Sequence, residues 1–150
     1  MIDAFNDLIV KLGASFGKTL HLDHNHACAL RVQNKFTVQI QLDREQEHVL
    51  LAAFIKELPP GKYRENVFCE ALKTNHLADP RPTLSFVPMK TSLTLHQKVL
   101  FAHLDPLLLE GILAVFIDTA KAWYEAISRG ETSPAVIRGS STKPPPFGLR

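Results

Sequence analysis

The sequence has little cysteine and no long apolar run. Only two of its 150 residues are cysteines, Cys28 and Cys69, which is too few for a disulfide framework. We interpret both as reduced, small, buried residues of a cytosolic protein. The longest uninterrupted apolar stretch, residues 49–55, has seven residues, far fewer than the roughly 20 that a membrane-spanning helix needs. No basic segment followed by an apolar one opens the chain, so we expect no signal peptide and no membrane span.

A concentration of charge of one sign is also lacking in most of the chain. The formal net charge is +2, but residues 1–128 sum to −1 and residues 129–150 to +3. A nucleic-acid-binding domain gathers Lys and Arg on a folded surface, and this distribution does not. We therefore expect no nucleic-acid partner. The hydrophobic fraction of 45% and charged fraction of 21% are typical of a chain that buries a core.

The motifs of common catalytic and cofactor sites are missing as well. Gly13 and Gly17 follow a predicted helix instead of opening one, so they do not form a phosphate-binding loop. No serine stands in a nucleophile-elbow motif. Glu65 and Glu70 are five residues apart, which places them on different faces of a helix. We therefore predict that the protein is not an enzyme and has neither catalytic residues nor a cofactor.

One cluster of metal-ligating residue types is present between His21 and Cys28. On a strand, His24, His26 and Cys28 would point to one side, and imidazole together with thiolate suits zinc. However, the cluster begins in a predicted loop, and no second ligand pair follows at a usual spacing. We therefore predict no metal in the isolated protein. A small-ligand or metal-binding α+β domain that uses residues 21–28 is the alternative hypothesis.

Apolar periodicity predicts three helices and five strands. The predicted helices cover about 2–16, 63–76 and 106–127, with Asp105 as the N-cap of the last one. The predicted strands cover 27–32, 36–42, 48–56, 84–86 and 93–101. The order α-β-β-β-α-β-β-α predicts an α+β fold with a mainly antiparallel, twisted sheet packed by helices.

The composition changes at the end of the last predicted helix. We predict a folded domain over residues 1–131 and a flexible, Pro-rich, basic tail over residues 132–150. The tail contains Lys143 followed by three prolines, which favours polyproline II. A Pro-rich adaptor that acts through this tail is therefore a further hypothesis. If residues 132–150 are a flexible tail, we predict that they are dispensable for folding.

The chain has more apolar surface than one small core can use. The third strand is apolar at Val49, Leu51, Ala53 and Ile55, and also on its other face at Leu50, Ala52 and Phe54. This strand either lies between two layers of helices or presents a docking surface for another chain. The last helix is apolar almost all round over residues 107–117, which predicts a second subunit.

Several short segments resemble those of one known family. The segment 25–28 (Asn-His-Ala-Cys) opens the first strand, Leu58-Pro59 closes the third, and Trp123 and 127–131 end the last helix. Together with the element order and the 36–42 strand, they resemble the Tir chaperone family, the class I chaperones of bacterial type III secretion. The resemblance covers about residues 1–131. Most members are acidic, whereas this chain is basic overall because of its tail.

The resemblance implies a cytosolic bacterial dimer without enzymatic activity. Such a chaperone binds the N-terminal segment of a secreted effector or gatekeeper protein in extended form and keeps it export-competent. The second subunit is either an identical chain or a related chaperone. An extended segment can add a strand to a sheet edge and place alternate side chains in pockets, so the predicted fold suits this function.

We predict two interaction surfaces on this basis. The predicted cargo groove combines the first helix with small and large residues of strands one and three: Phe5, Leu8, Ile9, Leu12, Ala27, Ala29, Leu50 and Phe54. The predicted dimer interface combines the second helix with the fifth strand: Tyr63, Val67, Phe68, Leu93 and Leu95. If Phe54 does not bind cargo, the alternative position for the groove is at strands four and five, around Phe86 and Leu95.

Overall fold

The computed structural model of the protein describes residues 2–76 and 82–134. Within these ranges it contains three α-helices and five β-strands in the predicted order, with boundaries that differ from the predicted ones by no more than one residue. The elements are α1 (Ile2–Ser15), β1 (Ala27–Val32), β2 (Phe36–Leu42), β3 (His48–Glu57), α2 (Lys62–Asn75), β4 (Thr83–Val87), β5 (Ser92–Leu100) and α3 (Pro106–Ser128). The predicted α+β class is confirmed.

The five strands form one antiparallel sheet in the order β1-β2-β3-β5-β4. The register places Val38 opposite Ala53, and Ala53 opposite Leu95, so these three side chains share one face of the sheet. Buried side chains from all three helices, Phe5, Val67 and Trp123 among them, join this face in a single core. The core therefore lies on one side of the sheet.

The central strand β3 has one closed face and one open face. Val49, Leu51, Ala53 and Ile55 are buried against the helices. On the opposite face Leu50 and Ala52 are only half-buried, and the side chain of Phe54 is 36% exposed. Of the two hypotheses for this strand, the structure thus favours an open second face over a strand between two helical layers.

Helix α1 is packed more completely than we expected. Phe5, Ile9 and Leu12 are fully buried, and Leu8 is nearly so. The reason is that α1 packs against α3, and the ring of Phe5 meets Phe101 edge-on with 5.8 Å between centroids. These four side chains belong to the core, which corrects the expectation that the apolar stripe of α1 is left partly open for cargo.

The outer edge of β4 is closed at its centre by a side chain of α2. The Asn75 amide donates to the Leu84 carbonyl oxygen at 2.7 Å, and the Leu84 N–H donates to Asn75 Oδ1 at 2.8 Å. Since both peptide groups of Leu84 point away from β5, the Asn75 amide takes the place of a neighbouring strand. Such a cap protects an edge strand from pairing with another chain.

Replacing Asn75 with alanine is expected to lower the free energy of unfolding by about 1–3 kcal/mol, because two part-buried peptide groups lose their partner. Urea unfolding of the wild type and the variant measures the change. The matched control is Lys73→Ala on the same helix turn, since Lys73 makes only a surface ion pair with Glu70. Equal stability of the wild type and Asn75→Ala would show that the Asn75 cap contributes nothing.

The folded part of the chain continues beyond the predicted boundary at residue 131. Gly130 adopts a positive φ of 77° that ends α3, and the Tyr63 hydroxyl then donates to the Glu131 carbonyl oxygen. Ser133 and Pro134 are both buried. The beginning of the predicted tail is therefore part of the packed structure, and the remainder, residues 135–150, lies outside the described residues.

Candidate functional site

The start of α3 is fixed beside the end of β5. Asp105 Oδ1 accepts a hydrogen bond from the Leu108 N–H at 2.7 Å and Pro106 occupies the first helical turn, which confirms the predicted cap. The helix has 23 residues, and within the part of the chain that the structure describes no helix could cross a membrane.

Helix α3 carries two apolar stripes instead of one. Leu109, Leu113, Phe116, Ala120, Trp123 and Ile127 are spaced to face the core, and all are buried. Leu108, Ile112 and Val115 recur at intervals of four and three residues and form a second stripe about a quarter-turn away. Val115 is 60% exposed although it is apolar. The second stripe is therefore unpartnered over much of its surface.

An apolar groove of about 880 Å³ lies between this second stripe and the end of β5. We call it the β5–α3 groove. One wall is the β5 segment 97–100, and the other wall belongs to α3. The groove is lined by Pro82, Gln97, Lys98, Val99, Leu100, His103, Asp105, Leu107, Leu108, Gly111, Ile112 and Val115. A Cβ added at Gly111 would meet no atom within 4 Å, so the floor of the groove is open at that position.

The backbone of β5 is accessible along the same groove. Because the Leu84 peptide groups face away from β5, alternation directs those of His96, Lys98 and Leu100 toward the β4 side. Pairing of β4 with β5 ends at Thr83 and His96. Among the described strands, none lies beside Lys98 and Leu100 on this side, so an extended peptide has room to pair there.

A second hollow, of about 470 Å³, meets the groove at Asp105. It lies between α1 and the segment 101–106, and α1 contributes Ala4, Asp7, Leu8 and Lys11 to it. Helix α1 therefore borders the open surface through its flank, while its predicted apolar stripe fills the core.

The remaining residues of the predicted cargo groove lie on the open face of the sheet, but not together. Ala29 and Ala52 both pair with Gln39 of β2, so β2 separates β1 from β3. Ala27 is buried, and Ala29 is exposed. The predicted pocket of small residues beside Leu50 and Phe54 is not formed, because β1 and β3 are two strands apart. The Lys90 ammonium lies 4.0 Å from the centroid of the Phe54 ring.

The predicted dimer residues fall into a buried group and a partly exposed group. Val67, Leu93 and Leu95 are buried in the chain's own core, and Tyr63 is half-buried with its hydroxyl bonded to Glu131. Phe68 lies at the surface of α2, 5.0 Å from the Phe86 ring centroid.

Leu72 was not among the predicted interface residues, although it is 69% exposed one helical turn after Phe68. Its position off the Val67–Ala71 stripe was a visible signal. We call Phe68, Leu72 and Phe86 the α2–β4 surface; a small pocket of about 190 Å³ lies among them.

The loop before β1 that carries His24 and His26 is held by the Asp23 carboxylate. The Ala27 and Asn25 N–H groups donate to Asp23 Oδ1 at 3.1 and 2.8 Å, and these bonds lower the pKa of Asp23. Burial, reinforced by the charge of Asp23, raises the pKa of Cys28 to about 11. Within residues 2–76 and 82–134, no three His, Cys, Asp or Glu side chains are grouped to hold a metal ion. The alternative hypothesis of a metal site therefore has no support.

Solved structures with the same fold are chains of two-protein complexes. The chain is similar to a chain of the HopA1–SchA chaperone–effector complex, with a TM-score of 0.66 and 19% identity over 81% of this chain and 94% of that one. A chain of the ExsC–ExsE complex gives a TM-score of 0.67 and 22% identity, over 83% of this chain and 94% of that one. A chain of the ExoT–SpcS complex from Pseudomonas aeruginosa gives a TM-score of 0.61 and 15% identity, over 81% of this chain and 97% of that one. At these identities the likeness establishes the fold.

Family membership rests on the sequence itself. No curated protein sequence matches the chain. Residues 7–124, which span α1 to the last turns of α3, match the model of a known family. The match includes the β5 segment and the α3 stripe that form the groove. The chain belongs to the Tir chaperone protein (CesT) family.

Proposed function

We propose that this chain is a cytoplasmic bacterial chaperone that binds the N-terminal segment of a type III secreted effector or gatekeeper protein in extended form. The family consists of chaperones and not of enzymes. The similar structures include a chaperone–effector complex, which supports a secreted protein as the partner. The observation that carries the proposal is the β5–α3 groove, because it joins unpartnered apolar side chains to accessible strand backbone.

The physical chemistry of this groove suits an unfolded partner. An extended segment that pairs with Lys98 and Leu100 would place every second side chain over the α3 stripe. Burial of those side chains offsets the conformational entropy that the segment loses when it is ordered. No catalytic group is needed, because the chaperone acts by holding the segment.

The proposal is tested by purifying the full-length chain from its native cell and identifying the protein that remains bound. We expect a secreted protein whose N-terminal region alone rebinds the purified chaperone. A partner that binds through a folded domain, or a chain that retains no partner, would contradict the proposal.

The open face of the sheet is proposed as a second contact for the same segment. Phe54→Glu is expected to weaken cargo binding at least tenfold without lowering the melting temperature, because Phe54 is 36% exposed and the new carboxylate lies near Lys90. Phe16→Glu in the turn after α1 is a matched control, since Phe16 is 37% exposed and lies outside this face. Unfolding of Phe54→Glu would place Phe54 in the core, and unchanged binding would remove the open face from the cargo site.

We also propose that two chains associate through the α2–β4 surface, as a homodimer or with a related chaperone. Phe68 and Phe86 are half-buried there and Leu72 is exposed, so the three side chains present an apolar surface. The Asn75 cap prevents β4 from pairing at Leu84, so contact through side chains is favoured over a continuous sheet.

A further inference from the structure

The chain leaves its folded part at a defined place. Ser133 is fully buried, Pro134 is buried, and Glu131 is tied to Tyr63 at the start of α2. Sixteen residues, 135–150, follow Pro134 and lie outside the described residues. Any docking of this segment must begin from this fixed point near the end of α3.

The segment is long enough to reach the β5–α3 groove. Along α3, Leu107 lies 21 residues before Ser128, a distance of about 30 Å at 1.5 Å per residue. Phe147 lies 13 residues after Pro134, and an extended chain of that length spans up to about 45 Å. The end of the segment can therefore return along α3 and enter the groove.

The residues at that end have the pattern that the groove accepts. Phe147 and Leu149 are two residues apart, so an extended backbone directs both side chains to the same side. The three prolines before Phe147 favour an extended spacer, which lowers the entropy lost on docking. The α2–β4 pocket has less than a quarter of the volume of the groove.

We infer that residues 147–149 of the chain's own C-terminal segment occupy the β5–α3 groove when no cargo is bound, and that cargo must displace them. The inference rests on the proposed function, since it describes how access to the proposed cargo site is regulated. The segment acts as an internal competitor with the chemistry of the cargo: an extended backbone carrying alternate apolar side chains. It keeps the α3 stripe covered until a secreted segment arrives.

The test uses the full-length chain and a fluorescently labelled peptide with the sequence of residues 135–150. The variant Phe147→Ser with Leu149→Ser is expected to bind the peptide at least tenfold more tightly than the wild type. The reason is that the attached segment of the wild type competes at an effective concentration on the order of millimolar. Adding Val115→Asp to this variant should remove peptide binding. The control Val136→Ser with Ile137→Ser should bind the peptide as weakly as the wild type does.

Equal peptide affinity of the wild type and the Phe147→Ser, Leu149→Ser variant would overturn the inference, as would peptide binding that Val115→Asp does not reduce. Cargo binding separates this failure from failure of the proposed function. If cargo binds equally well to both chains, the internal competitor is excluded while the chaperone function stands. If the peptide result is as expected but neither chain binds a secreted segment, the proposed function is contradicted and the internal contact remains.

Discussion

Replacing Val115 with aspartate is expected to lower the affinity for the cargo segment at least a hundredfold, about 2.7 kcal/mol of binding free energy. Val115 is 60% exposed in the α3 wall of the β5–α3 groove. A bound segment would cover the new carboxylate and strip it of water without supplying a charged partner. Because Val115 does not belong to the buried core, the melting temperature should change little.

A matched control separates loss of the groove from loss of helix stability. Val10 is 48% exposed on α1 and does not line the groove or the hollow beside Asp105. Val10→Asp makes the same chemical change on an exposed helix face and should bind cargo as the wild type does. Titration calorimetry measures the cargo affinity of each variant. If Val115→Asp and Val10→Asp bind cargo equally well, or if Val115→Asp binds as the wild type does, the cargo lies elsewhere.

Replacing Leu72 with aspartate is expected to convert a dimer into a monomer. Leu72 is 69% exposed in a single chain, so its loss costs the chain's own core nothing, while a charge in the centre of an apolar interface is not tolerated. Light scattering should give twice 16.8 kDa for the wild type and 16.8 kDa for the variant.

The matched control for the dimer is Met89→Asp in the turn between β4 and β5. Met89 is 97% exposed and lies outside the α2–β4 surface, so this variant should remain a dimer. A monomeric wild type at micromolar concentration would exclude the dimer. A Leu72→Asp variant that stays dimeric would place the interface on another face.

Local pattern was sufficient to predict the secondary structure of this chain. The alternation from Phe36 to Leu42 and the Asp105-Pro106 cap depend on neighbouring residues only, and both agree with the structure. Sheet order is a different matter, because β5 lies between β3 and β4 in space and not in sequence. Alternation separated the residues of β3 into two faces, but both faces are apolar, so which of them is the inner one could not be decided from the sequence.

The sites were harder to predict because they depend on which surfaces meet. The stripe of α1 resembles a groove in sequence, but contact with α3 and Phe101 makes it core. Ala29 and Phe54 were grouped although β2 lies between their strands. Leu108 and Val115 were visible only as part of a helix apolar all round. Which part of that helix stays uncovered depends on how far β4 pairs along β5, and this pairing ends at Thr83 and His96.

The central claim is that an extended cargo segment pairs with β5 in the β5–α3 groove. Hydrogen exchange of the full-length chain, alone and with its co-purified secreted partner, tests it most directly. The account predicts that the amides of Lys98 and Leu100, which face the open side of β5, exchange more slowly in the complex. Unchanged exchange at these two amides in a complex that has formed would contradict it.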